Sequence, residues 1–260
     1  MPRKFDSRRF REAYERWIVR GRFNEEPAYY PRYRSRYEGL LQRFAAQAGD
    51  EPLDVLDIGG GQLALLCSKL WGDRATAADV FVDRLGYLRE NGVATLGWNL
   101  AQEEPPCEQR FDAVFFSEVI EHLPIPGYVA LERLRRVLEP GGLLLCTTPN
   151  FYRLRNIVYV AIGKRIYDHF REPGDGPLGH VIEYDEPRLR WQLDRAGFSD
   201  VRLELCYFQH QPNQPLFRAL SWLGKPLFLV PRFRDCIVAF ARTPSDRPPR
   251  PAGHASTRPG

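Results

Sequence analysis

LDVLDIGGGQLA, residues 53–64, is the stretch on which the reading of the fold turns. Leu53–Ile58 is a short, nearly continuous apolar run, the pattern of a strand buried on both faces. Gly59, Gly60 and Gly61 end it, and Leu63–Leu70 then follows helical spacing. Outward from this unit the alternation continues. ATAADV (75–80), VATLGW (93–98), FDAVFF (111–116) and LLLCTT (143–148) read as further strands, with helical patterns at Arg84–Asn91 and Tyr128–Leu138 between them. Asp185–Ala196 reads as a helix stopped by Gly197, and VRLELCYF (201–208) and CIVAFAR (236–242) complete seven strands. Alternating strands and helices of this kind predict an α/β fold: a Rossmann-like, seven-stranded, mostly parallel sheet with helices on both faces.

The rest of the 260 residues falls around that frame. Residues 1–50 predict a basic N-terminal helical cap, with eleven Lys/Arg against five Asp/Glu between Met1 and Arg36 and a first helix capped by Ser7. The domain proper spans 51–242, with insertions at about 151–183 and 209–234 over the active site. From Thr243 five prolines and little apolar content predict a disordered tail at 243–260. Five scattered cysteines form no CxxC or Cys/His cluster, which argues against a disulfide framework or a zinc site and fits a reducing compartment. The N-terminus is too charged for a signal peptide, and no apolar run reaches the roughly 18 residues of a membrane span. We therefore expect a soluble, cytoplasmic protein.

Glycines at the strand–helix turn let a ligand approach the backbone, and the helix start offers unpaired N–H donors. Read as Gly59-x-Gly61-x-x-Ala64, with Asp79 at the end of the next strand, the turn also satisfies a dinucleotide fingerprint. Asp57 weighs against a dinucleotide. A carboxylate beside that turn repels a pyrophosphate but attracts the ammonium and sulfonium of S-adenosylmethionine. Asp79, 22 residues on, suits ribose hydroxyls in either case.

VLDIGGG resembles the first motif of class I S-adenosylmethionine-dependent methyltransferases, with Leu63 standing where that family usually has a third spaced glycine. The other landmarks follow in order over residues 53–207. FDAVFFSEVIEHLPIP resembles the fourth strand and its exit loop, and LRRVLEPGGLLLCTTPN the helix and strand that follow. Together with GHVIEYDEPRLRWQLDRAGFSDV, these are most similar to the branch that methylates small molecules. The resemblance implies S-adenosyl-L-methionine as cofactor, held by Asp57, Gly59, Gly60, Gly61, Asp79, Val80, Phe81, Asn99, Leu100, Ser117 and Glu118. Within it, Asp79 takes the ribose, Val80 and Phe81 flank the adenine, and Asn99 stands where an Asp is usual.

Transfer of a methyl group needs the acceptor held in line and, for a hydroxyl, a means of removing its proton. His122, after the fourth strand, and His180, before the last long helix, are the candidate catalytic residues. Glu118, Glu121 and His122 could imitate a metal set, but one short segment rarely supplies a full coordination sphere, and no metal is expected. Tyr29, Tyr30, Arg32, Tyr33 and Arg36 are candidates to fold over the cofactor, and the aromatic and arginine residues of 151–183 to form an acceptor pocket. The expected function is transfer to a small-molecule hydroxyl, on a sugar or natural product. A nitrogen, carbon or lipid-linked acceptor stays open, as do a nicotinamide-dependent oxidoreductase and a non-catalytic binding module. The apolar segment 216–230 would suit a membrane surface, a homodimer interface or a lid core, the first being less favoured. Nucleic acid is not an expected partner, since the charge is modest and no Asn/Asp-Pro-Pro-aromatic signature occurs.

Overall fold

A computed structural model describes residues 2–23, 25–26, 28–169, 179–208 and 229–245. Seven strands form one sheet: β1 (Asp54–Ile58), β2 (Arg74–Asp79), β3 (Ala94–Gly97), β4 (Phe111–Ser117), β5 (Leu138–Pro149), β6 (Ser199–Cys206) and β7 (Cys236–Arg242). Their order is β3-β2-β1-β4-β5-β7-β6. The first five pair in parallel, and β7 runs antiparallel between β5 and β6. The expected mostly parallel, seven-stranded sheet is thus present. The order reverses between β1 and β4, the switch point at which open α/β sheets hold ligands at the carboxyl ends of their strands.

Alternate residues of each strand feed two cores. Val55, Ala113, Phe115, Leu145, Val238 and Phe240 face one, while Leu56, Val114, Phe116, Leu144, Ile237 and Ala239 face the other. The first core is covered by α1 (Ser7–Tyr14), α2 (Tyr29–Gln47) and α3 (Gln62–Trp71), through Phe10, Tyr14, Leu40, Leu41, Phe44 and Leu66. α4 (Gly86–Glu90) adds Leu88. The second is covered by α5 (Gly127–Val137) and α6 (Glu186–Arg195), through Leu131, Leu134, Leu189 and Leu193. The basic N-terminal segment is thus a covering layer of the sheet, its apolar stripe inward and its arginines largely outward.

Several local expectations change. α1 is capped by Asp6, whose carboxylate accepts from the Arg8 and Arg9 N–H groups, and Ser7 lies inside the first turn. β5 begins five residues earlier than its apolar run, because Leu138 already pairs with Phe111 across an irregularity in register. Thr243 is buried, its N–H donating to Gly142 O and its hydroxyl to Glu139 O. Residues 246–260 of the tail, residues 170–178 of the first insertion and residues 209–228 of the second, with most of segment 216–230, lie outside the described residues. Near the N-terminus, Arg3 reaches the loop before β2 and pairs with Asp73 at 2.6 Å, with both side chains buried. Among the described residues, no helix is long and apolar enough to cross a membrane.

Candidate active site

The glycine turn stands where β1 leaves the sheet. Gly59, Gly60 and Gly61 have φ of 86°, 154° and 81°, a region L side chains rarely adopt. A Cβ on Gly59 would meet Val119 at 2.6 Å, and one on Gly61 would meet Leu88 at 2.5 Å, so space as well as φ requires glycine there. The Gly59 N–H donates to Ala78 O, fixing the turn against β2. Asp57 is buried, and one of its oxygens accepts from the N–H groups of Leu63 and Ala64 at 2.8 and 3.2 Å. It therefore caps α3 from below while also lining a cavity. Burial disfavours its anion and raises its pKa to about 7, although those two hydrogen bonds oppose the shift. Leu63, out of pattern in the sequence, packs into the core beneath α3.

Two adjoining cavities open along the carboxyl ends of the strands, of about 360 and 440 Å3. The first is mainly apolar, with Ile58, Ala78, Val80, Phe81, Leu85, Trp98 and Leu100 among its walls and Gly59, Gly60, Asp79 and Asn99 at its polar points. Asp79 accepts from the Phe81 N–H at 2.8 Å, and burial raises its pKa. Asn99 turns its carbonyl oxygen to the Ala101 N–H at 3.2 Å. The second cavity is strongly polar, with Asp57, Ser117, Glu118, Glu121, His122, His180 and Arg36 on its walls. Gly59, Glu118 and His122 border both. Every residue expected to bind the cofactor or act in catalysis except Gly61 therefore lines one cavity or the other, whereas Arg32 of α2 and Tyr152, Tyr159 and Tyr167 of the first insertion line neither. Gly61 lines neither and supplies the left-handed entry into α3.

Glu118 is the strained residue of the site, with φ of 57°. A non-glycine residue held there costs of order 1–3 kcal/mol and persists only where its surroundings fix it. Here Arg36 pairs with its Oε2 at 3.1 Å, and the Thr147 hydroxyl donates to Oε1 at 3.0 Å. Arg36 also donates to the Tyr29 hydroxyl and stacks over Tyr33. Burial alone would depress the Arg36 pKa, but Glu118 together with Tyr29, Tyr37 and Cys236 outweighs it and raises it. Gln62, in the first turn of α3, donates to the Tyr30 hydroxyl at 2.9 Å and joins α2 to the glycine turn.

Beyond Glu118 the chain makes a tight turn, Ile120–His122. The Glu121 backbone oxygen accepts from both Val181 and Ile182, and this draws a distant segment onto the turn. As a result the rings of His122 and His180 meet edge to face, 4.9 Å between centroids. His122 Nδ1 lies 2.9 Å from Gly179 O, and His180 Nδ1 lies 3.1 Å from Glu183 Oε1. A carbonyl oxygen only accepts, so His122 Nδ1 carries the hydrogen and its Nε2 keeps the lone pair, while His180 Nδ1 lies between the Glu183 carboxylate and Arg153 Nη2, the latter 3.4 Å away. Burial lowers the His122 pKa, and His180 beside it adds to that, against the Gly179 hydrogen bond. Glu183 is bound further by Arg153 at 3.0 Å and Asn156 at 3.1 Å; burial raises its pKa, but these partners and His180 bring it below the usual value. Glu121 is buried, and its Oε2 accepts from Thr148. Burial and the neighbouring Glu118 charge push its pKa well up.

Residues 30–203 match the family described as Methyltransferase domain. The chain belongs to the class I S-adenosylmethionine-dependent methyltransferases. A ubiquinone biosynthesis O-methyltransferase from Caulobacter vibrioides is 32% identical to this methyltransferase over 190 residues, covering 68% of this chain and 74% of that one. Another bearing that name, from Cereibacter sphaeroides, is 30% identical over 153 residues, 53% of this chain; the match spans only 60% of that relative. In fold, the chain is similar to a SAM-dependent methyltransferase structure from Archaeoglobus fulgidus. The TM-score is 0.56 at 17% identity, covering 83% of this chain and 98% of that one.

S-adenosylmethionine is accordingly the cofactor, and the residues present fit it. The three glycines leave a cradle that side chains would fill. The apolar cavity ending in Asp79 suits an adenosine, whose base needs flat apolar walls and whose diol needs an acceptor. The adjoining polar cavity supplies Asp57 for an ammonium and Arg36 for a carboxylate. Gln62 and Trp98 line the cavities as immediate neighbours of Gly61 and Asn99, whereas Asp235 and Cys236 carry no sequence signal because they reach the site from a segment remote in sequence. Asp235, for example, arrives only through the antiparallel return of β7.

Proposed function

We propose that this methyltransferase moves the methyl group of S-adenosylmethionine to a hydroxyl oxygen of a small-molecule acceptor, such as a sugar or natural product, held in the second cavity. The bound cofactor supplies an electrophilic methyl on a sulfonium centre. The observation that carries the reading is the placement of His122: its Nε2 lone pair is free of a proton, and its ring borders both cavities. A hydroxyl must shed its proton as it is methylated, and the Glu121, His122 and His180 group is where this cavity offers lone pairs to receive or weaken that O–H bond. His180, oriented by Glu183, backs His122. Tyr29, Tyr33 and Arg36 on α2 close the cavity from the side of the N-terminal layer, excluding water and holding the cofactor end of the site in place. The O-methyltransferase names of the relatives support an oxygen acceptor.

The test is product analysis with methyl-labelled S-adenosylmethionine against panels of small alcohols, phenols, sugars and amines. O-methyl products are expected. His122→Ala should lower kcat by about 10²–10⁴-fold, the range for losing a positioned proton acceptor. Affinity for S-adenosylhomocysteine should stay near that of the parent. Label recovered only on nitrogen or carbon would overturn the oxygen assignment.

A further inference from the structure

Glu121, His122 and His180 each offer one ligand atom, and the three atoms lie within 4.8 Å of one another. His122 Nε2 is 3.9 Å from Glu121 Oε1, too far for a hydrogen bond. Around a common ion with bonds of about 2.0–2.2 Å, tetrahedral ligands stand roughly 3.4 Å apart, so a small inward rotation of these side chains would close the shell. We propose that the group is a binding site for one divalent first-row transition-metal ion, whose open positions face the acceptor cavity.

Three independent features point to an ion there. Glu121 is 1% exposed, and its Oε1 is buried with no hydrogen-bond partner, although Oε2 is satisfied by Thr148. A buried carboxylate oxygen without a partner costs free energy that a cation on that side would offset. Second, His122 holds its Nδ1–H on the Gly179 carbonyl, and His180 has its Nδ1 3.1 Å from the Glu183 carboxylate, so each ring has an oxygen partner at Nδ1. That is the support that metal-ligating imidazoles usually have, fixing the tautomer with Nε2 toward the ion. Third, Glu183 is itself held by Arg153 and Asn156, so the ring it orients is rigid. Two imidazoles and one carboxylate suit zinc, manganese, iron or cobalt better than calcium.

The site rests on the O-methyl reading for its role, and it alters how the proton leaves. An acceptor hydroxyl bound to the ion becomes acidic enough to release its proton to water. The oxygen lone pair then forms the new C–O bond as the C–S bond breaks, and S-adenosylhomocysteine departs. Residues 118–122 alone do not make a full coordination sphere. The backbone bonds from Val181 and Ile182 to Glu121 add His180 from a second segment.

The experiment is titration of the chelator-stripped full chain with Co2+, without cofactor or acceptor, following visible d–d absorption and stoichiometry. One ion per chain is expected. Glu121→Gln, His122→Gln and His180→Gln should each weaken binding at least about tenfold, and His169→Gln, at an exposed histidine, should leave it unchanged. Should Glu121→Gln fail to fold by circular dichroism, the less buried His180→Gln carries the comparison. No stoichiometric Co2+ binding by the folded parent, or equal binding by the folded His180→Gln chain, overturns the site. Failure to bind Co2+ leaves the O-methyl reading standing with direct proton transfer to His122. Failure to methylate a hydroxyl leaves a measured Co2+ site intact.

Discussion

Cofactor affinity should be coupled to a proton on Asp57. In the free protein burial holds its pKa near 7, so around neutrality the carboxyl is partly protonated. A cofactor ammonium arriving in the same cavity favours the anion, and binding must then expel that proton. Below pH 7 each pH unit should weaken S-adenosylhomocysteine binding by up to about tenfold, or about 1.4 kcal/mol. From pH 7.5 to 5.5 the loss should approach ~2 kcal/mol, and above pH 7.5 the curve should flatten until the ligand amine itself titrates. Calorimetry in two buffers of different ionisation enthalpy at pH 6 should register close to one proton released per ligand. Asp57→Asn keeps an oxygen to accept from Leu63 and Ala64 but cannot titrate. It should bind more weakly at pH 7.5 and lose the pH slope. The unliganded protein provides a sign check. A folded pKa above the unfolded 3.8 means that this group's contribution to stability is fully present below about pH 4 and lost as pH rises through about 7. Asp57→Asn should therefore flatten the corresponding slope in denaturant midpoints. A constant dissociation constant between pH 5.5 and 7.5, or a slope that survives in Asp57→Asn, would refute the reasoning.

Two further predictions concern the ribose end and the N-terminus. Asp79→Ala should weaken S-adenosylhomocysteine binding by about 1–3 kcal/mol, the range for hydrogen bonds to a charged group; unchanged affinity in a folded chain would undo the ribose assignment. Arg3→Ala leaves Asp73, which is fully buried, without its cation. A loss of about 3–5 kcal/mol is expected in urea denaturation, and a change under 1 kcal/mol would show that water reaches Asp73.

Much of the donor half of the site was legible because it is local. Asp57, the glycines and Asp79 lie within one strand–turn–helix–strand unit, and their spacing alone places them at one end of the sheet. Apolar runs marked all seven strands; burial on two faces leaves an unbroken signal in the central ones, while the edge strands β3 and β6 are exposed along much of their length. The misreadings have equally local causes. Asp6 and Ser7 are both good caps, and only the backbone conformation, extended at Asp6, decides between them. β5 starts before its apolar run because Leu138 pairs with Phe111, and an irregularity in register then separates it from the run that begins at Leu143 opposite Ala113. The acceptor half was hidden for a different reason. His122 and His180 are 58 residues apart, and what joins them is a pair of backbone hydrogen bonds to Glu121 O that no side-chain pattern encodes.

Glu118 shows why the two halves act together. Its left-handed backbone turns β4 so that its carboxylate borders both cavities, and Arg36 from α2 fixes it there. If strain alone mattered, Glu118→Gly would relieve about 1–3 kcal/mol, less the roughly 0.5–1 kcal/mol that the freedom of glycine in the unfolded chain costs. The substitution also leaves the Arg36 side chain, 12% exposed, without its carboxylate. Losing one partner of a buried pair costs about 3–5 kcal/mol, reduced here because Glu118 retains 23% exposure. The net expectation is destabilisation of about 1–3 kcal/mol. Glu118→Gln, which keeps a polar partner for Arg36, should fall between Glu118→Gly and the parent. Adding Arg36→Met to Glu118→Gly should then recover stability while cofactor affinity stays low, because that variant restores apolar packing without restoring the charge. A Glu118→Gly chain as stable as the parent would mean that the strained turn is held by the sheet alone, and that Arg36 serves the ligand rather than the fold.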